Sequence, residues 1–123
     1  MRKIKIFTVI DRYNIFLDIW LNYYTKFIEQ NDITIVYRNM TGFNIEEYLK
    51  TKNFSKINIE IIEKNVNYCS YDYNKKQQEL LKNCDVVIYA DHDEIIFHEN
   101  LLEILNNFSL PYITLNGFEI VHN

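Results

Sequence analysis

Four short runs rich in β-branched residues, KIKIFTVI (3–10), DITIVYRN (32–39), KINIEIIE (56–63) and DVVIYA (85–90), are spaced along the chain with longer amphipathic stretches between them. This exchange of a two-residue period for a 3.6-residue period constrains the fold more than any other feature. Strands that alternate with helices pack as a mainly parallel sheet crossed by those helices. The first run alternates and then turns apolar throughout, which suits a strand covered on one face and then on both.

The stretches between the runs carry helical spacing. Ile15, Phe16, Ile19, Trp20, Tyr23, Tyr24, Phe27 and Ile28 recur in pairs four apart and predict a helix over 13–28 with those residues on its inner face. NIEEYLK (44–50) predicts a short helix capped by Asn44. YNKKQQELLKN (73–83) turns Tyr73, Gln77, Leu80, Leu81 and Cys84 to one side. ENLLEILNNF (99–108) predicts a helix opened by Asn100, whose side chain accepts an orphan amide while Glu103 reaches back. Pro111 bounds its exit. The tail YITLNGFEIV is either a hairpin turning at Asn116-Gly117 or one bulged strand, and the dipeptide leaves both open. The expected architecture is therefore an α/β three-layer sandwich with a mainly parallel sheet, one domain over residues 1–123.

Composition narrows the function classes. With 48% hydrophobic and 24% charged residues the chain reads as globular, and a formal net charge of −4 gives no basic surface for nucleic acid. No stretch approaches the roughly 18 apolar residues that span a bilayer. Arg2, Lys3 and Lys5 precede only IFTVI before Asp11, too short for a signal peptide. Cys69 and Cys84 form no C-x-x-C and read as reduced thiols. These features together predict a cytoplasmic protein.

The stretch VVIYADHDEIIF (86–97) places Asp91, Asp93 and Glu94 within four positions, directly beyond an apolar strand. Such a cluster is costly unless water, a cation or hydrogen-bond donors offset the repulsion. In open α/β sheets ligands sit outside the carboxyl ends of the strands, where Asp91 is the first polar residue. In extended backbone, residues two apart face one way, so Asp91 and Asp93 can share a hard divalent cation, or divide a cation and a ribose, with His92 turned aside. The plainer reading is a solvated turn. Asp11 and Arg12 follow the first strand at the same rim if the strands run parallel. There Asp11 or Asn14 can equally cap the next helix. Tyr13 is an aromatic residue near the same rim.

VVIYADHDEIIFHENLLEIL resembles the D-x-D-E segment of GT-A-type glycosyltransferases, particularly the family-2-like group, in which an apolar strand leads to Asp-x-Asp-Glu and then to a Leu-rich helix. FLDIWLNYYTKF is similar to the helix after the first strand of that group, and YNKKQQELLKNCD to the Gln-containing helix before the D-x-D strand. The resemblance implies a compact or truncated GT-A fold that binds a nucleoside diphosphate sugar through Mn²⁺ or Mg²⁺. It makes Asp93 the principal metal ligand, has Asp91 reach the ribose or a metal-bound water, and sets Glu94 behind them as an orienting group. It puts nucleotide contacts at Asp11 and Arg12, and at Arg38 and Asn39 after the second strand, although YRNMTGF stands where the group usually has an acidic Ser/Gly-rich turn. The implied reaction is inverting sugar transfer to an unidentified acceptor. His98, Glu99, Glu103, Glu119 and His122 are the acid–base side chains beyond the loop, and none lies in a recognisable catalytic motif. Because only 30 residues follow Asp93, a partner subunit or self-association is expected to complete the acceptor side. Two other readings stand beside transfer: a non-catalytic nucleotide-sugar-binding module of the same fold, and a D-x-D phosphohydrolase, whose motif usually lies on the first strand.

Overall fold

The computed structural model describes residues 1–63, 71–96 and 100–109, together with the backbone of 112–115 and 118–122. Cys69, His98, Glu99, Pro111 and Asn116-Gly117 lie outside the described residues, as do the side chains of Glu119 and His122. In chain order the elements are β1 (Ile4–Ile10), α1 (Ile15–Tyr24), β2 (Ile33–Arg38), α2 (Ile45–Thr51), β3 (Asn58–Ile62), α3 (Tyr73–Leu81), β4 (Val86–Tyr89), α4 (Leu101–Asn107), β5 (Tyr112–Leu115) and β6 (Phe118–His122).

All six strands form one sheet in the order β3-β2-β1-β4-β6-β5. The first four are mutually parallel, because each is reached through a helical crossover. β6 runs antiparallel to β4, and β5 antiparallel to β6. The tail is thus a hairpin, and the fold is α/β with a mainly parallel sheet.

Strand alternation divides the core in two. Ile6, Ile10, Ile33, Ile35, Tyr37, Val86 and Ile88 face one way and pack with residues of α1, α2 and α4. Phe7, Val9, Val36 and Val87 face the other way, against Leu81 of α3 and Cys84 just beyond it. The sheet is therefore the middle of three layers. Cys84 is a buried thiol whose Sγ lies 3.2 Å from the Leu80 carbonyl oxygen. Lys76 of α3 is also buried, its ammonium 3.3 Å from Glu79 and 3.7 Å from Glu60.

Two sequence expectations are corrected. α1 is shorter than 13–28: Asn14 caps it by accepting from the Phe16 amide, and after Tyr24 the chain continues as turns. Its inner face is also rotated. Leu17, Trp20, Leu21 and Tyr24 are buried, whereas Ile15, Phe16 and Ile19 are at least half exposed. The segment is apolar around most of its circumference, so periodicity defines a wide sector, and the sheet selects which edge is covered. The second correction concerns Asn100, which stands at the start of α4 without a side-chain capping bond. Its backbone (φ −111°, ψ 29°) lacks the extended geometry that aims a capping side chain at the first amides.

The far end of α4 is held by the N-terminal segment. Arg2 donates to the carbonyl oxygens of Leu105 (3.2 Å) and Phe108 (2.8 Å), its guanidinium lies 5.0 Å from the Phe108 ring centre, and its backbone amide reaches Asn106. A cation bonded to the last carbonyls of a helix satisfies them and complements the helix dipole. Arg2→Ala is expected to lower the unfolding free energy by about 1–2 kcal/mol, read from urea denaturation.

The register sets the shape of the carboxyl rim. Tyr89 pairs with Phe7, while β1 runs on to Ile10, three residues further. At the rise of a strand, β1 overhangs the end of β4 by about 10 Å. The acidic loop begins in that recess.

Candidate metal centre

Beyond Tyr89 the chain makes one more sheet contact, from the Ala90 amide to the Phe7 carbonyl, and then turns. The Glu94 amide donates to the Asp91 carbonyl oxygen at 2.9 Å, closing a four-residue turn over Asp91–Glu94. The expected extended D-x-D is therefore a turn, and it gathers one more carboxylate than extended geometry would. Asp91, Asp93 and Glu94 each offer an oxygen within 4.8 Å of the others. Oxygens around one small divalent ion at about 2.1 Å stand roughly 3–4.2 Å apart. Small side-chain rotations bring the three into that range. Glu94 belongs to the same group as the two aspartates.

Four residues fix the turn and the segment just beyond it. Asp91 follows Tyr89 by two residues and so continues its face of the sheet, and the Tyr89 hydroxyl donates to Asp91 Oδ1. Tyr89 is itself held against Phe7 and Tyr73, with ring centres 5.0 and 4.8 Å away. Asn14 Nδ2 lies 2.8 Å from His92 Nε2. Asn14 Oδ1 already accepts from the Phe16 amide, so its Nδ2 donates and His92 Nε2 accepts, which places the imidazole proton on Nδ1. Tyr24 donates to the Glu94 carbonyl and accepts from the Ile96 amide, while Tyr23 donates to the Ile96 carbonyl at 2.5 Å.

The electrostatics follow from this crowding. Burial, a hydrogen bond with Asp91 and the charges of Asp91 and Asp93 push the Glu94 carboxyl up to about 7. A carboxyl that keeps its proton near neutrality lessens the repulsion, and a cation does so more completely.

The other expected contacts lie on the neighbouring part of the rim. Asp11 and Arg12 pair with each other at 3.1 Å, with Arg12 64% exposed. The Asp11 carbonyl accepts from Thr41 (3.3 Å), joining the loops after β1 and β2. Arg38 ends β2 and is half-buried. Asn39 Oδ1 accepts from Tyr37 and from the Gly42 amide, and its Nδ2 donates to Glu63, which leaves one amide N–H for a ligand. Gly42 has φ +74°, a turn conformation that favours glycine. Tyr13, 42% exposed, packs against Phe43 and Tyr48 and donates to Asp18 at 2.5 Å.

The contacts that Tyr89, Asn14, Tyr23 and Tyr24 make with the acidic segment are absent from the sequence reading. Strand alternation alone could have paired Tyr89 with Asp91. The other three act across more than 65 residues and carry no local signal.

No described helix is long and apolar enough to cross a membrane. No family model matches the chain, and no curated protein matches it. A solved structure of a mannosyltransferase from Pyrobaculum calidifontis, in complex with GDP-Man and Mn²⁺, is similar to it with a TM-score of 0.47 and 8% identity. The similarity covers 82% of this chain and 30% of that protein's. A likeness of that degree says nothing about chemistry.

Proposed function

We propose that the chain is a metal-dependent glycosyltransferase domain of the GT-A kind, which moves a sugar from a nucleoside diphosphate donor to an acceptor with inversion. The observation that carries this reading is the convergence of Asp91, Asp93 and Glu94 in one turn at the carboxyl end of a parallel strand. The D-x-D-E resemblance supplies the reaction class.

In this reading Asp93, the most exposed of the three, and Asp91 hold Mn²⁺ or Mg²⁺. When bound, such an ion stabilises the charge that develops on the departing diphosphate. Asp91 is oriented through Tyr89 and keeps Oδ2 for the ion, its water or a ribose hydroxyl. Arg12 is exposed enough to leave Asp11 for a phosphate oxygen, which lets Asp11 turn to the nucleoside. Arg38 and the spare N–H of Asn39 add polar contacts on the same rim. The proposal treats 1–123 as one nucleotide-sugar-binding domain acting in the cytoplasm. It also has a second copy help to hold the acceptor, which a fully active, strictly monomeric protein in gel filtration would exclude.

The test is a thermal titration with uridine, guanosine and cytidine diphosphates, with and without Mn²⁺, beside a transfer assay on the corresponding sugars. One diphosphate is expected to stabilise the protein in a Mn²⁺-dependent way, by about 2.7 kcal/mol at a hundredfold excess over its dissociation constant. Asp93→Ala is expected to abolish that shift. A wild type that ignores all three ligands in the presence of Mn²⁺ defeats the proposal, and binding without transfer reduces it to a nucleotide-sugar-binding module.

A further inference from the structure

The acidic turn is held from one side by a single helix. Asn14, the cap of α1, meets His92. Tyr24, in its last turn, meets Glu94 and Ile96, and Tyr23 meets Ile96. Asn14 and Tyr24 are ten residues apart, about 15 Å along the axis, so residues 92–96 run beside the helix and are tied to it at alternate positions. None of these tethers is forced by the core. The Tyr24 ring is fully buried against Trp20, Tyr23 and Phe27, and a phenylalanine would fill that space equally well. Its hydroxyl bonds to the loop, accepting from Ile96, two residues beyond the turn, and donating to Glu94, the last residue of it.

We infer that α1 is the positioning element of the acidic turn: Asn14 and Tyr24 hold its backbone and central histidine so that the three carboxylates converge before a cation arrives. The inference rests on the metal reading given above. Carboxylates gathered within 4.8 Å repel one another, and a loop free to relax would let them part. Tethers to a packed helix resist that movement. Groups that orient metal ligands in this way typically contribute 10–100-fold to metal affinity.

The experiment compares Mn²⁺ binding, followed by electron paramagnetic resonance, in the wild type, Tyr24→Phe, Asn14→Ser and Leu17→Ala, each at a temperature where circular dichroism shows it folded. Tyr24→Phe keeps the ring and loses the tether, while Asn14→Ser keeps a capping oxygen and loses the donor to His92. Leu17 is buried in the same helix with no tether to the turn, so Leu17→Ala lowers stability alone. Tyr24→Phe and Asn14→Ser are each expected to weaken Mn²⁺ binding about tenfold, with Leu17→Ala near the wild type. Faster hydrogen exchange at the Ile96 amide in Tyr24→Phe, without metal, is expected alongside. Wild-type affinity in both tether variants overturns the inference and leaves the metal reading intact, and an equal loss in Leu17→Ala overturns it as a general effect of stability. A wild type with no saturable Mn²⁺ binding overturns both. Asn14→Ser, which lies outside the core, keeps the comparison decisive if Tyr24→Phe does not fold.

Discussion

Trp20→Ala is expected to lower the unfolding free energy by about 3–5 kcal/mol, the usual cost of removing a large aromatic side chain from a packed core. Ile19→Ser, one residue earlier, is expected to change it by about 0.5 kcal/mol or less. Trp20 is fully buried on the inner side of α1, with its ring centre 4.8 Å from that of Tyr24. The tryptophan volume sits between helix and sheet, and a methyl group in its place leaves a cavity that neighbouring side chains fill only in part. Ile19 is 50% exposed, and a polar side chain there meets water. Urea denaturation of both variants reads the difference. Equal losses would mean that the inner face is the one suggested by the paired spacing of 15/16, 19/20 and 23/24, and the observed orientation of α1 would be wrong.

That contrast marks where sequence stops specifying this fold. The strands were legible because β-branched runs bounded by polar residues have few alternatives to a covered strand, and the order of elements followed from the alternation. The inner face of α1 was not legible, since Ile15, Phe16, Leu17, Ile19, Trp20 and Leu21 offer nearly equal apolar edges. Lys76 escaped notice because one of the two carboxylates beside its buried ammonium, Glu60, belongs to another element. The tail stayed ambiguous because Asn-Gly suits both a tight turn and a bulge, and only the antiparallel pairing of β5 with β6 selects the hairpin. At the candidate site, the carboxylates and their place beyond β4 could be read directly. The contacts that hold the segment could not, because they come from a helix more than 65 residues away in the chain.

Without metal, the protein is expected to lose stability as pH rises from about 4.5 to about 7, because the Glu94 carboxyl is displaced across that interval. Burial comes first among the causes, followed by the hydrogen bond with Asp91 and the charges of Asp91 and Asp93. Within the interval the folded chain keeps a proton that the unfolded chain has released. The unfolded state then binds fewer protons, and the unfolding free energy falls with pH. Well below the interval both states hold the proton, and well above it neither does, so the loss levels off above about pH 7. Asp18 acts in a separate window. Burial pushes its carboxyl up, but the hydroxyls of Tyr13 and Tyr48 and the charge of Lys52 carry it below 3.8, so its contribution is lost only in stronger acid. Glu94→Gln is expected to flatten the neutral-side decline, and a wild-type stability that climbs between pH 4.5 and 7 would contradict the sign. If a cation in the turn also takes Glu94 as a ligand, it displaces the same proton. Mn²⁺ affinity should then drop about tenfold per pH unit below 7, and binding at pH 6 should release about one proton. Calorimetry in buffers of different ionisation enthalpy measures that release, and Glu94→Gln should abolish it.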